Sequence, residues 1–458
     1  MPNFDAIIIG TGQSGPALAR RLVAAGWKVA IIERKLFGGT CINTGCTPTK
    51  TLIASAHAAH VARRGADYGV RIEGSVNVDM KAVKARKDAI VAAFHNGVER
   101  SLRTLQGCTV YQGHGRFVAG KKVAVNDSEL AADHIFLNVG ARAAIPPIPG
   151  LEQVPYLTNS SMMDIDFLPT HLVILGGSYV GLEFAQMYRR FGSEVTVIEL
   201  GPRLISREDA DVSQAVVDFL KDEGINVRVD SEVVGAEKQG NSVAVKVESG
   251  GKITNVVGTH VLVATGRRPN TDDLGLERAG IVTDARGYIQ VDDQLHTNVS
   301  GVWAMGDCNG RGAFTHTSWN DFEIVAANLL DNDQRRVSDR ITAYALYTDP
   351  PLGRGGMTEA EVRKTGKPAL ISTLAMKDVS RAYEKGETKG FMKILVDRDS
   401  KQILGASFLG LAGDEVIHCI LDIMYAKAPY TVMQRAMHIH PTVSEFIPTM
   451  MGSLKPLQ

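Results

Sequence analysis

Short apolar runs separated by glycine turns recur along the chain, and two of these arrangements share one pattern. Ala6 to Ile9 is an apolar run, followed by Gly10-Thr-Gly12-Gln-Ser-Gly15. An alanine-rich amphipathic stretch from Pro16 to Ala25 comes next, then a second apolar run from Val29 to Ile32 that ends at Glu33. Read by periodicity, this is strand, glycine turn, helix, strand and acid, the order of a dinucleotide-binding βαβ unit. The pattern returns at Leu172 to Leu175, Gly176-Gly-Ser-Tyr-Val-Gly181, a helical stretch to Phe191, and Val195 to Ile198 ending at Glu199. The interval from glycine to acid is the same in both copies, so an accidental match is improbable. The second copy departs at Ser178, where the pattern's second glycine would let backbone approach a pyrophosphate. A dissociable nucleotide tolerates that change better than a permanent cofactor would.

Beyond the second copy, apolar and polar residues alternate from about Asn226 to Val263, and the stretch ends in Ala264-Thr-Gly-Arg-Arg-Pro269. Strand signals at Val261 to Ala264 and Val302 to Met305 flank a connecting segment. The C-terminal part has no Gly-rich phosphate motif. It carries strand signals at Phe391 to Val396 and Gln402 to Phe408 and a helix from about Gly413 to Ala426, which predicts a further domain of α+β type. The fold expected is α/β, with two Rossmann-like dinucleotide-binding domains and a C-terminal α+β domain.

Length and composition set the limits. At 458 residues the chain exceeds one core and suggests about three domains. Lysine plus arginine and aspartate plus glutamate are equal at 50 each, so there is no basic excess to suit a nucleic-acid partner. No basic n-region precedes a long apolar stretch at the N-terminus, and no apolar run reaches the ~18 residues of a transmembrane helix. A cytoplasmic protein without membrane or nucleic-acid partner is therefore expected. There are five cysteines, Cys41, Cys46, Cys108, Cys308 and Cys419, too few and too odd a number for a disulfide scaffold.

Cys41-Ile-Asn-Thr-Gly-Cys46 follows closely on Glu33. In an ideal helix, residues five apart lie roughly 8–9 Å apart between Cα atoms, beyond the ~7 Å limit for a disulfide. The segment is therefore expected to be non-helical or distorted, consistent with Gly45 and Pro48. A dithiol–disulfide pair is one reading. A zinc half-site is another, but no second cysteine pair completes it, and no metal is expected.

Gly38-Gly-Thr-Cys-Ile-Asn-Thr-Gly-Cys-Thr-Pro-Thr-Lys50 resembles the active-site signature of the class I pyridine nucleotide-disulfide oxidoreductases, the family of glutathione reductase, dihydrolipoyl dehydrogenase and mercuric ion reductase. Ala304-Met-Gly-Asp307 resembles the family's second FAD motif, and His440-Pro-Thr-Val-Ser-Glu445 its C-terminal catalytic motif. The resemblance runs essentially end to end. It implies an FAD-binding domain at 1–150, an NAD(P)-binding domain at 151–265, a second FAD or central part at 266–340 and an interface domain at 341–458, assembled as a homodimer with active sites shared between chains.

The resemblance also implies roles. FAD would be bound by Gly10, Gly12, Gly15, Glu33, Gly39, Thr40, Lys50, Gly115, Gly140 and Asp307. NADH would be bound by Gly176, Ser178, Tyr179, Gly181, Glu199 and Gly266, with Tyr179 covering the nicotinamide pocket. Cys46 would be the thiolate touching the flavin and Cys41 the thiol that exchanges with substrate. Lys50 and Glu183 would pair near the flavin. His440 from the partner subunit would be acid and base to Cys41, oriented by Glu445. NADPH is less expected than NADH, because Glu199 repels a 2′-phosphate, while Arg203 and Arg207 are expected to face solvent. Cys108 and Cys419 are expected to be buried spectators, Cys308 to pack, and His438 to be structural.

Thr348-Asp-Pro-Pro-Leu-Gly-Arg-Gly-Gly-Met-Thr358, with Pro146-Pro-Ile-Pro-Gly150, looks most like a bacterial mercuric-reductase-like subgroup that includes the reductase induced by reactive chlorine species. The C-terminus, Gly452-Ser-Leu-Lys-Pro-Leu-Gln458, lacks the vicinal cysteines of a dedicated mercury enzyme. The function expected is an FAD-dependent NAD(P)H oxidoreductase that passes electrons through Cys41 and Cys46 to a small disulfide, oxidant or metal ion. The alternatives are a dihydrolipoyl dehydrogenase component of a multienzyme complex and a flavoprotein redox sensor.

Overall fold

The apolar run of each glycine motif becomes a central buried strand. In the computed structural model, which describes residues 3–458, Asn3–Ile9 lies between Val29–Glu33 and Ser128–Leu137, all parallel. Cys108–Gln112 extends one edge of this sheet, in parallel with Val29–Glu33. The antiparallel strands Lys122–Val125 and Arg116–Ala119 extend the other. The chain leaves this sheet after Leu137 and rejoins it at Val302–Ala304, which pairs in parallel with Ser128–Leu137. Everything between is inserted between two neighbouring strands, so the residues around Asn138 and Asp307 meet at one end of the sheet.

The second glycine copy builds a parallel sheet of its own, in the order Asn226–Arg228, Glu194–Ile198, His171–Leu175, His260–Val263, Tyr156–Leu157. The alternating stretch after Asn226 resolves into an antiparallel meander, Glu232–Gln239, Ser242–Ser249 and Lys252–Gly258. It packs Val243, Val245 and Val247 against Val173 and Leu175. The C-terminal part is a six-stranded antiparallel sheet running from Ala343–Leu346 to Lys455–Pro456, covered by the helix Gly413–Tyr425, whose Val416, Ile417 and Ile420 join its core.

In both glycine turns the geometry requires glycine. Gly10 has φ +105°, and a Cβ there would stand 2.2 Å from the Asn138 carbonyl oxygen. Gly176 has φ +109°, and a Cβ would stand 2.5 Å from the Ala264 carbonyl oxygen. The equivalence of these contacts confirms that the two modules are structural repeats.

Candidate active site

The helix is broken between the two cysteines. Cys41 lies in the short helix Gly39–Asn43, and Cys46 is the first residue of the helix Cys46–Arg63. Gly45 sits between them at φ −132° and ψ −118°, far from helical values. Both thiols are free. Cys46 Sγ lies 3.1 Å from the hydroxyl of Thr315, itself the first residue of the helix Thr315–Leu330. Two helix N-termini therefore converge on one sulfur, and the partial positive charge of each favours a thiolate there.

The pair divides its protons accordingly. The Cys41 thiol donates to the Cys46 sulfur, and this bond, with help from Thr315 and the nearby Lys50 charge, draws Cys46 down to about 6 despite burial. Cys41 is pushed strongly up by the same bond, with burial adding to it. At neutral pH one sulfur is a thiolate and the other holds its proton.

Lys50 Nζ donates to both carboxylate oxygens of Glu183, at 3.0 and 2.8 Å. Glu183 is buried, and its Oε1 also accepts from the Tyr347 backbone N–H at 3.1 Å. Lys50 Nζ stands 4.4 Å over the centre of the Tyr347 ring. The lysine is thus held by a carboxylate and an aromatic face, close enough to act on Cys46. Tyr347 carries no sequence signal of its own, since it acts through a residue far away in the chain, whereas Thr315 lies in Phe314-Thr-His-Thr-Ser318, the helix start that the family resemblance places under the flavin.

A cleft of about 950 Å³ runs from the first glycine turn to these sulfurs, and Glu33, Gly140, Asp307, Thr315 and Tyr179 line it. Glu33 Oε2 accepts from the Thr11 amide at 3.1 Å and the Thr11 hydroxyl at 2.5 Å, which fixes the acid at the end of its strand. Cβ atoms at Gly12 and Gly39 would stand 2.7 Å from Asn138 Oδ1 and 3.0 Å from Gly12 Cα, so the wall of the cleft is bare backbone by necessity. Gly15 packs against Gly10, and Gly115 against Ile32. Thr40 belongs to the same wall. Asp307 lies 3.2 Å from Arg267 Nε, while burial raises its pKa in spite of that cation. A long cleft walled by glycine backbone, with a fixed acid at one end and a half-buried carboxylate along its side, suits a flavin dinucleotide.

In the second module, Glu199 accepts from the amides of Gly177 at 2.6 Å and Gly201 at 2.8 Å, not from Arg203 or Arg207. Arg207 is exposed as expected, whereas Arg203 is half-buried. Gly181 packs against Gly176, and Gly266, at φ +147°, has open space around it. Ser178 is exposed, directly before the helix Tyr179–Phe191, and its hydroxyl makes no cap to that helix. The Tyr179 ring packs edge-on against Phe314 and Tyr344, with centroids 5.8 and 5.4 Å away.

His440 stands apart. Its Nδ1 is paired with Glu445 at 2.9 Å, and its side chain is 72% exposed. Beside it, Met437 and Ile439 are 99% and 80% exposed, an apolar surface that one subunit leaves uncovered. Among the described residues, no hydrogen bond or ion pair joins His440 to Cys41 of its own chain. His438 Nδ1 lies 3.2 Å from the Ala436 carbonyl oxygen. Cys308 is buried in the core of the first module. Cys108 and Cys419 correct the expectation of burial, since both are only half-buried. Cys108 stands on an edge strand and Cys419 on a helix with one open face, where packing is one-sided.

A family model described as pyridine nucleotide-disulphide oxidoreductase matches residues 4–321, and the dimerisation domain of that family matches residues 342–451. The chain belongs to the pyridine nucleotide-disulphide oxidoreductases, FAD-dependent enzymes that act through a redox-active disulfide. It is 35% identical to the probable pyridine nucleotide-disulfide oxidoreductase RclA of Escherichia coli strain K12, over 99% of this chain and 100% of that one. It is 32% identical to a mercuric reductase of Streptomyces lividans, over 96% of this chain and 94% of the relative. It is 30% identical to a dihydrolipoyl dehydrogenase of Chlamydia muridarum, over 96% and 95%. A solved structure, the Cu(II) complex of the HOCl-induced flavoprotein disulfide reductase RclA from Escherichia coli, superposes with a TM-score of 0.91. It shares 34% identity and covers 99% of this chain and 100% of that one. Among the described residues no helix is long and apolar enough to cross a membrane.

Proposed function

We propose that this flavoprotein disulfide reductase takes hydride from NADH and delivers electrons through Cys41 and Cys46 to a small oxidant, disulfide or metal ion, working in the cytoplasm as a homodimer. The observation that carries the reading is the asymmetric pair itself: Cys46 as a thiolate between two helix N-termini and Lys50, and Cys41 holding the proton. Bound FAD would supply the chemistry of accepting the hydride and passing an electron pair to the sulfurs. The glycine wall from Gly10 to Gly15, with Glu33, Gly39, Thr40, Gly115, Gly140 and Asp307, would hold it. Lys50, kept in place by Glu183, would stabilise negative charge developing on the ring.

The chain's own residues then divide the work. Reduction of the Cys41–Cys46 bond leaves a thiol on Cys41 and a thiolate on Cys46. Cys41 gives its proton to the imidazole of the partner subunit's His440, and its sulfur attacks the acceptor. When the acceptor is a disulfide, one of its sulfurs leaves and takes that proton from the imidazole. Cys46 attacks the mixed disulfide at Cys41, expels the second product thiolate and restores the starting bond. Glu445 holds the imidazole Nδ1, which leaves Nε2 free for the exchange. Cys46, tied to Thr315, would be the sulfur that receives electrons from the flavin.

Among acceptors, the Cu(II) complex of the Escherichia coli relative favours a metal ion, with two Cu(II) each taking one electron as the sulfur pair closes to its disulfide. A rapid-mixing screen of NADH-reduced enzyme against Cu(II), hypochlorite-derived disulfides and dihydrolipoamide's disulfide form tests the assignment. Fast reoxidation by Cu(II) or a small disulfide is expected, and fast reoxidation by the lipoyl compound alone would instead indicate service to a multienzyme complex.

Glu199 is the selector for NADH. Its carboxylate is already oriented by two backbone amides, so it presents a fixed negative charge to the adenosine ribose. A tenfold preference needs only ~1.4 kcal/mol, within reach of one repulsive charge in a partly buried site. Glu199→Ala should shrink the kcat/KM advantage of NADH over NADPH by about that factor. A wild-type kcat/KM that is higher with NADPH would show that Arg203 and Arg207 govern the choice.

A further inference from the structure

Tyr179 is held chiefly by ring packing: its buried hydroxyl makes no well-formed hydrogen bond among the described residues and faces only the hydroxyl of Tyr344. What fixes its position is therefore whatever fixes the rings it leans on. Phe314 and Tyr344 stack on each other, with centroids 5.5 Å apart and planes 15° from parallel, and Tyr179 meets both edge-on. Of the two, Tyr344 is pinned. Its hydroxyl donates to Glu208 Oε1 at 2.6 Å. Glu208 is fully buried and is also gripped by Arg354, whose Nε lies 3.2 Å from Oε2 and whose side chain is 1% exposed. Tyr344 and Arg354 are direct partners in the antiparallel pair Ala343–Leu346 and Leu352–Gly356, so both side chains rise from the same face toward one carboxylate. Glu208 comes from the other side, from the loop that follows Glu199. That loop is fastened to the C-terminal part a second time, through Asp209, which accepts from the amides of Glu359 and Ala360 at 3.0 and 3.2 Å and from Lys393 at 3.0 Å.

We infer that Tyr344, anchored by the buried Glu208–Arg354 pair, is a positioning residue that sets how firmly Tyr179 closes the nicotinamide pocket. The inference rests on the reading of Tyr179 as the cover of that pocket. A closed cover competes with the nicotinamide for the same space, so the observed dissociation constant is the intrinsic one divided by the fraction of open molecules. Every contact that steadies the closed ring therefore weakens nucleotide binding. Loosening the anchor has an effect opposite to ordinary structural damage: it tightens binding.

Tyr344→Phe keeps the ring and removes its hydroxyl, and with it both the tie to Glu208, which retains Arg354, and the contact with the Tyr179 hydroxyl. NAD⁺ binding to the oxidised holoenzyme, followed by titration calorimetry, is expected to tighten roughly three- to tenfold, with KM for NADH falling in parallel and kcat little changed. Phe314→Leu removes the other wall of the stack and leaves the ion pair intact. It is expected to tighten binding as well, which supplies a second route should Tyr344→Phe not fold. Tyr179→Ala is expected to tighten binding at least as much, and adding Tyr344→Phe to it should change nothing further, because the ring that Tyr344 positions is gone. If Tyr179→Ala tightens binding but Tyr344→Phe and Phe314→Leu leave it at the wild-type value, the anchor is overturned while the cover stands. If Tyr179→Ala itself leaves binding unchanged, the cover reading is wrong and the anchor falls with it.

Discussion

Replacing Cys41 with serine should lower turnover of a disulfide acceptor by more than about 10³-fold, and the isolated enzyme should absorb at long wavelength before any reductant is added. Without Cys41, the Cys46 sulfur has no partner to bond and stands as a thiolate against oxidised flavin, the arrangement that gives such a band. Replacing Cys46 should abolish turnover to a similar extent and remove the band in every redox state. The pH dependence follows from the same geometry. In the two-electron-reduced wild type the band should be full at neutral pH and fade as pH falls through about 6, where Cys46 takes up its proton. The Cys41 thiol is the largest influence lowering Cys46, and a serine hydroxyl replaces it only in part. The Cys41→Ser midpoint should therefore lie above about 6. A band that survives in Cys46→Ser and vanishes in Cys41→Ser would reverse the two roles.

Replacing His440 with alanine should lower the rate of disulfide reduction by about 10²–10⁴-fold, the usual contribution of a positioned acid–base group. It should leave reduction of the flavin by NADH nearly unaffected, since among the described residues no hydrogen bond or ion pair joins His440 to the glycine-walled cleft of its own chain. The exposed apolar residues around it, Met437 and Ile439, and the family's dimerisation domain at 342–451 favour a site completed across two subunits. Mixing inactive His440→Ala and Cys41→Ser chains should then restore activity, because a heterodimer holds one site with both groups intact. Heterodimers shown by mass to have formed, yet inactive, would mean that each chain builds its own site.

The parts of the fold that were legible in the sequence are those written in local order. The two glycine turns require glycine because a carbonyl lies where a Cβ would go, and the break between Cys41 and Cys46 follows from helix geometry. Strands at Phe391–Asp397 and Ile403–Leu409 and the helix Gly413–Tyr425 were likewise visible in local patterning. The helix Met80–Arg103 carries Met80, Val83, Ile90, Val91, Phe94, Val98 and Leu102 at helical spacing, yet of its 24 residues only Met80, Lys87 and Leu102 are buried, so its apolar stripe does not mark a core face. Its start is set by Asp79, whose side chain accepts from the amides of Lys81 and Ala82. Within the site, Tyr347 and Arg267 carried no signal because each acts on a group that is distant in the chain and brought near only by the tertiary fold. The same holds for Glu208 and Arg354, an ion pair that spans separate parts of the chain. Lys50 and Glu183 are equally distant in sequence, and there the family resemblance supplied the pairing that spacing could not.

The claim on which the rest depends is that the cysteine pair stores electrons in series with the flavin. Anaerobic titration of the oxidised holoenzyme with dithionite measures this directly. The wild type should take up one equivalent before its flavin is bleached, with the long-wavelength band rising during that phase, and a second equivalent as the flavin itself is reduced. The enzyme carrying both Cys41→Ser and Cys46→Ser should bleach with the first equivalent and show no band. Equal uptake by the two proteins would contradict the account, because the sulfurs would then hold no electrons at all.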